Sequence, residues 1–254
     1  MSIDSQPFLR LRAISKTFGH IRAVTDVDLE VACGEVLAIV GDNGAGKSTL
    51  LNVLIGIHQP TAGSIQVGGA EHHFASPRGA VAAGIAAVTQ DLALVECLDV
   101  SSNMFIGQTP GRWGLVDRQT MDREARRFLD DVRATVPDVR MPIGMLSGGQ
   151  RQMVAIARAL RSGASILVMD EPTAALGVRE TAQVVDLIAS LRADGKGVVL
   201  VSHDMAVVFK LADRVQVLRQ GRCAGMRSVA GTTPEEIVGM ITGVGAREGV
   251  VASV

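Results

Sequence analysis

The sequence predicts an α/β fold with a mainly parallel sheet, an antiparallel β region at its N-terminus and an inserted helical region. Three observations carry this. Residues 36–40, 166–169 and 198–201 are continuous apolar runs, each followed by a helical pattern, as expected of buried parallel strands. Leu9, Leu11 and Ala13 alternate with Arg10 and Arg12, and Val27, Leu29 and Val31 alternate with Asp26, Asp28 and Glu30, as expected of a half-exposed antiparallel sheet. Residues 92–162 contain no long β-type run and read as helical.

The elements follow in order. Residues 36–40 end at a glycine-rich turn, and a helix is expected over residues 49–55. Residues 85–88 form a short strand. Residues 91–106 read as a connection, although Leu92, Leu94, Val95, Leu98, Met104 and Phe105 make it unusually apolar. That composition fits a protein docking surface or ordinary core packing. Residues 117–132 form a charged amphipathic helix with Phe128, Leu129 and Val132 on its apolar side, and residues 150–160 form a second helix. Thr233-Pro234-Glu235-Glu236 places a cap, a proline at the first helical position and a glutamate at the third, so a short helix starts there. The expected organisation is one domain over residues 1–243, with its core at about 1–91 and 163–243 and a helical subdomain at about 92–162. Residues 244–254 are expected to be a flexible tail.

Composition narrows the function. The chain has 254 residues, 47% hydrophobic and 20% charged, and its net charge is −1 from 25 basic and 26 acidic side chains. There is no global basic field for nucleic acid or acidic lipid, so a bound anion must be held by local geometry. Cys33, Cys97 and Cys223 are far apart and odd in number, which fits neither a disulfide framework nor a metal knuckle. Residues 1–10 lack the apolar core of a signal peptide, and the apolar run at 80–88 is too short to span a bilayer. A soluble chain that reaches a membrane only through a partner is expected.

Local anion geometry is present. Gly41-Asp42-Asn43-Gly44-Ala45-Gly46-Lys47-Ser48 fits the pattern GxxxxGK[ST] between a buried strand and the helix that opens at Thr49. In such a P-loop, glycines let backbone N–H groups turn inward around a polyphosphate, and the helix N-terminus adds its dipole. Lys47 then reaches the β- and γ-phosphates and Ser48 coordinates Mg²⁺. Asp170-Glu171 ends a buried strand, where open α/β sheets place ligands. Asp170 would hold Mg²⁺ and Glu171 would orient or deprotonate an attacking water; otherwise the pair caps the turn before Pro172. His203 closes the third apolar run and faces either the same γ-phosphate or local hydrogen bonds. Gln90, after the strand at 85–88, reaches Mg²⁺ and the water or is a surface amide.

Leu146-Ser147-Gly148-Gly149-Gln150 is more specific. Ser147 as cap and Gln150 three residues on form a capping box. Two glycines in the first helical turn cost about 1 kcal/mol each relative to alanine. A helix that accepts this loss is expected to use its exposed N–H groups as a second anion site.

In this order the motifs resemble the ATP-binding cassette (ABC) family over residues 9–242, nearly the whole chain. The resemblance implies ATP and Mg²⁺ as cofactors, the P-loop NTPase fold, and Phe18 as the aromatic that stacks on adenine. The chain contains no tyrosine to take that place. It also implies head-to-tail pairing with a second copy or close homologue, Ser147, Gly148, Gly149 and Gln150 of one protomer covering ATP held by Lys47 of the other. Residues 88–94, 104–107, 171–176 and 240–243 resemble ATPases of bacterial monosaccharide importers of the ribose, xylose or fructose type. Many of these carry two cassettes per chain, where this sequence carries one. Expected partners are a membrane-spanning permease and, through it, an external solute-binding protein, at the cytoplasmic face of the inner membrane. One departure stands out: Ala174-Ala175-Leu176-Gly177 has glycine where the family usually places an aspartate that supports contacts between protomers.

Two other functions compete. A soluble cassette ATPase acting on nucleic acid or ribosomes would favour paired cassettes, basic patches or coiled-coil insertions, which this sequence lacks. A P-loop kinase would not need residues 146–150.

Overall fold

The computed structural model describes residues 7–112 and 115–243. In chain order the elements are β1 (Leu9–Phe18), β2 (Ile21–Val31), β3 (Val36–Val40), α1 (Lys47–Leu54), β4 (Ala62–Val67), β5 (Ala70–His72), α2 (Pro77–Ala82) and β6 (Ile85–Val88). There follow α3 (Val100–Met104), β7 (Gly111–Arg112), β8 (Leu115–Val116), α4 (Arg118–Asp131) and α5 (Gly148–Leu160). The chain then runs through β9 (Ile166–Asp170), α6 (Val178–Ala193), β10 (Gly197–Val201), α7 (Met205–Leu211), β11 (Arg214–Arg219), β12 (Arg222–Ser228) and α8 (Pro234–Thr242).

Six strands form the central sheet in the order β12-β11-β3-β10-β9-β6, parallel except for the β11–β12 hairpin. The expected parallel strands are its middle, β3, β10 and β9. Their lack of polar alternation has a direct cause. Val36, Ala38 and Val40 of β3 face one apolar cluster with the helices α4 to α7, while Leu37 and Ile39 face another. Strands β9 and β10 divide the same way, Leu167 and Met169 against Ile166 and Val168, and Val198 and Leu200 against Val199 and Val201. With both faces covered, each apolar side chain stabilises by about 1.5–3 kcal/mol and no position is left for a polar one.

The second sheet, β2-β1-β4-β5, is antiparallel and half exposed, as its alternation required. One expectation fails there. Leu9 and Leu11 point inward, but Ala13 is exposed with φ of 47°, and Ile14 takes the core position. The pairing of β1 with β2 shifts register between Leu11 and Ile14, which is a β-bulge. An extra residue reverses the facing of everything after it, and the period-two pattern does not show where it falls.

The segment between β6 and β9 is helical, with small departures. Residues 91–106 contain α3, capped by the Asp99 side chain on the Ser102 N–H. Met104 and Phe105 are buried and Leu92 and Leu94 pack on the core, while Val95, Leu98 and Ile106 are exposed. The segment thus serves the core and also presents an apolar surface. The two-residue strands β7 and β8 pair antiparallel, which the sequence did not announce. Helix α4 buries Met121, Ala125 and Leu129 behind its Asp117 cap, with Phe128 half-buried and Val132 buried just beyond the helix. Helix α5 opens at Gly148, so both glycines lie inside its first turn. Helix α8 starts as its cap and proline require, with Thr233 accepting from the Glu236 N–H. The tail expected at 244–254 lies outside the described residues.

Candidate functional site

The turn between β3 and α1 is shaped by sterics. At Gly41 a Cβ would lie 2.2 Å from the Leu218 carbonyl oxygen, and at Gly46 it would lie 2.6 Å from that of Ala23. Gly46 also has φ of 101°, left-handed backbone that side-chain-bearing residues rarely adopt. No side chain caps α1, so the N–H groups of its first turn stay open for an anion. The Lys47 ammonium folds back, donating to the carbonyls of Gly41 at 2.6 Å and Asp42 at 2.9 Å.

Around this turn lies a cavity of about 500 Å³. Asn43, Gly44, Ala45, Gly46, Lys47, Ser48 and Thr49 line one side, and Gln90, Asp170 and Glu171 line another. Strand order accounts for the meeting: β3, β10, β9 and β6 run parallel, so their C-terminal ends share one edge of the sheet. Burial, and then the neighbouring Glu171 charge, push the Asp170 carboxyl above its usual range, with Lys47 acting in the opposite sense. Glu171 has φ of 51° and donates its N–H to the Val201 carbonyl at 2.9 Å. Its Oε2 lies 2.9 Å from His203 Nδ1, so His203 meets the carboxylate.

The donor set suits a hard divalent cation bound with a polyphosphate. Ser48, Gln90 and Asp170 supply one hydroxyl, one amide and one carboxylate, leaving room for phosphate oxygens and water. Among the described residues no three His, Cys, Asp or Glu side chains gather into an independent metal site. Cys33, Cys97 and Cys223 are all free and exposed.

Gly41, Asp42 and His203 are not among the lining residues, and further expected contributors sit elsewhere. Phe18, at the end of β1, is 41% exposed and packs edge-on to His58, outside the lining of the cavity. Ser147, Gly149 and Gln150 do not line it either; Gly148 lines a second cavity of about 430 Å³ that shares Gln90 and Glu171 with the first. The capping box is complete: Ser147 Oγ accepts from the Gln150 N–H, and Gln150 Oε1 accepts from the Ser147 N–H. Gln150 Nε2 donates to the Thr135 carbonyl at 2.7 Å, so both polar atoms of Gln150 hold backbone.

The two glycines of α5 differ. Gly148 is exposed, with the nearest atom to a Cβ being Leu176 Cδ2 at 3.8 Å. Gly149 is buried, and a Cβ there would lie 2.3 Å from Glu180 Cγ. Gly148 keeps its backbone open, whereas Gly149 also has a packing reason within the chain. Glu180 also fills the space beside Gly177, its Oε2 lying 2.6 Å from where a Cβ would be.

Ile21, Arg22, Ala23, Gln220 and Gly221 line the first cavity and were not anticipated. Gln220 and Gly221 both have positive φ and form the tight turn of the β11–β12 hairpin. A Gln-Gly turn is legible locally. Its hydrogen bonds to Ala45 and Thr25, which bring it to the glycine-rich turn, are not.

Residues 24–174 match the family model described as ABC transporter. The chain is 44% identical over 233 residues to a ribose import ATP-binding protein of Chromobacterium violaceum, covering 92% of this chain and 46% of that protein. It is 45% identical over 216 residues to an arabinose import ATP-binding protein of Azospirillum brasilense, covering 85% of this chain and 41% of that one. The chain thus spans about half the length of these curated relatives. A nucleotide-free ATP-binding cassette from an ABC transporter superposes with a TM-score of 0.81 at 26% identity, covering 93% of this chain and 96% of the other. A dimeric cassette in a post-hydrolysis state, bound to ADP and Pi, superposes at 0.75 with 28% identity over 88% of this chain and all of that one.

Proposed function

The chain belongs to the ABC transporter family, and from that premise we propose that it is the nucleotide-binding subunit of an importer, hydrolysing ATP to power uptake of a small solute such as a monosaccharide. The observation that carries this is the convergence of Lys47, Ser48, Gln90, Asp170 and Glu171 on one cavity beside an uncapped helix N-terminus. Lys47 and the turn from Gly41 to Thr49, with the open N–H groups at the start of α1, bind the phosphates. Ser48, Gln90 and Asp170 hold Mg²⁺, which when bound neutralises phosphate charge. Glu171 takes a proton from the attacking water, and His203 orients the carboxylate. Phe18, exposed near Ile21, stacks on the base.

Ser147, Gly148, Gly149 and Gln150 complete the site of a second copy, since they stand outside the cavity of their own chain. The similarity to a dimeric cassette supports this arrangement. Residues 92–162 act as a helical subdomain within a domain spanning 1–243. The exposed Val95, Leu98 and Ile106 suit a permease partner, which would in turn engage an external solute-binding protein. We place the chain at the cytoplasmic face of the inner membrane through that partner; among the described residues no helix is long and apolar enough to cross a membrane. A role on nucleic acid is disfavoured by the net charge of −1.

Two measurements test this. The purified chain is assayed for Mg²⁺-dependent phosphate release from ATP, and the tagged chain is isolated from native membranes in mild detergent. Hydrolysis together with co-isolation of a multi-helix membrane protein supports the proposal. Hydrolysis with no membrane protein recovered, even after cross-linking before extraction, rejects the transport role; no hydrolysis in either preparation rejects the ATPase assignment.

A further inference from the structure

Helix α5 holds the segment after Gln90 through a row of arginines. Arg158 Nη1 donates to the Ala93 carbonyl at 2.7 Å and its Nη2 to the Leu92 carbonyl at 2.6 Å. One turn further on, Arg161 donates to the Met104 carbonyl and lies over the Phe105 ring. Near the start of α5, Arg151 meets Glu96 at 3.2 Å. Arg158 differs from Arg151 in pairing with no carboxylate among the described residues. Its burial lowers the guanidinium pKa with no opposing negative charge.

A half-buried guanidinium used only on two consecutive carbonyls calls for a reason. The carbonyls belong to a turn that cannot use them otherwise. Ala93 has φ of 48°, and its N–H donates to Asp91 Oδ1. This left-handed step is unfavourable for alanine and persists only if its surroundings enforce it. The planar fork of arginine satisfies both carbonyls at once, which a lysine point charge does not. The turn begins one residue after Gln90, and Gln90 lines both cavities, the one beside Lys47 and the one beside Gly148.

We propose that Arg158 is a positioning residue for Gln90: it fastens the turn at residues 91–93 to α5, so that the Gln90 amide and the Gly148 end of α5 keep a fixed relation. Arg158 touches no reacting group. It sets where the amide stands when the cation site fills, and this rests on the assignment of Gln90 to that site.

The test compares Arg158→Met, which keeps the apolar stem, Arg158→Lys, which retains the charge and one of the two bonds, and Gln90→Ala. Mg²⁺ dependence of ATP hydrolysis and amide hydrogen exchange over residues 90–95 are measured for each full-length variant. Loss of a group that orients a metal ligand is expected to raise the Mg²⁺ half-saturation roughly 10-fold. Arg158→Met is expected to show that shift with faster exchange at 90–95, and Arg158→Lys a smaller change in both. If Gln90→Ala shifts the Mg²⁺ dependence and Arg158→Met does not, the proposal is overturned even where exchange quickens, because Arg158 is then a structural clamp only. If Gln90→Ala itself leaves the dependence unchanged, the assignment of Gln90 fails and the proposal falls with it. Should the methionine variant not fold, a lysine variant with wild-type Mg²⁺ dependence overturns the proposal and an intermediate shift supports it.

Discussion

Glu171 and His203 meet across the ends of two neighbouring parallel strands, Oε2 to Nδ1 at 2.9 Å. Val201 pairs with Asp170 in that ladder, and the Glu171 N–H donates to the Val201 carbonyl. The carboxylate is 14% exposed and the imidazole 75%, so the histidine forms the open side of a largely enclosed acid. The carboxylate stands at one strand end and the imidazole at the next, so mutation can separate the roles proposed for them.

Glu171→Gln keeps the side-chain shape and removes the proton acceptor. ATP binding is expected to persist while hydrolysis slows at least about 100-fold, the low end for loss of a positioned base. The ATP-bound variant is expected to accumulate as a dimer. Single-turnover hydrolysis and light scattering check both; wild-type turnover would remove Glu171 from the role of base.

His203→Ala leaves Glu171 in place but without its partner. The expected effect falls on kcat, roughly 100-fold, with the affinity for ATP little changed. Steady-state kinetics beside equilibrium nucleotide binding separate the two. An equal loss in binding would mean that His203 holds nucleotide rather than orienting the carboxylate.

The glycines of α5 are expected to respond in opposite directions. Gly148→Ala meets no atom closer than 3.8 Å, and helix propensity favours alanine by up to about 1 kcal/mol, so the melting temperature is expected to hold or rise. Gly149→Ala drives a methyl to 2.3 Å from Glu180 Cγ and is expected to lower it. Adding Glu180→Ala removes the nearest atom, Cγ, but leaves the residue 180 Cβ 2.8 Å away, so it restores part of the loss, a coupling that a double-mutant cycle of thermal melts reads directly. Additive effects of the two substitutions would disprove the contact.

Asp122 ties α4 to its surroundings. It accepts from Ser101 Oγ and Arg140 Nε, both at 2.7 Å, with Arg118 nearby. Burial works to raise its pKa, but these hydrogen bonds and the arginine charges outweigh it and hold the carboxyl below the ordinary aspartate range. In that window the unfolded chain binds more protons, so stability rises with pH. The contribution is present above the ordinary aspartate value and is lost as pH falls through the lowered one. Asp122→Asn is therefore expected to destabilise at pH 7 by about 2 kcal/mol, a value usual for hydrogen bonds to a charged group. Denaturant melts across pH are expected to show the deficit shrinking in acid; a constant deficit would point to packing instead.

Features set by neighbours in sequence were legible before any fold was known. The glycine-rich turn, the Ser147–Gln150 capping box and the Thr233-Pro234 helix start rest on hydrogen bonds and backbone angles within a few residues. Ala13 was misplaced because a single inserted residue in β1 leaves no mark on composition. The packing reason for glycine at position 149 was not legible because Glu180 lies on another helix.

The sequence by itself determined the class of fold, the phosphate turn and the residue types converging on it, since periodicity and short motifs encode local geometry. Only the tertiary structure decided which side chains meet. Parallel strand order brought Glu171 to His203, the β11–β12 turn to Ala45, and Arg158 to the carbonyls after Gln90. Such contacts depend on how helices and strands pack across long stretches of chain, and that packing is settled by the two apolar clusters acting together, not by any one segment.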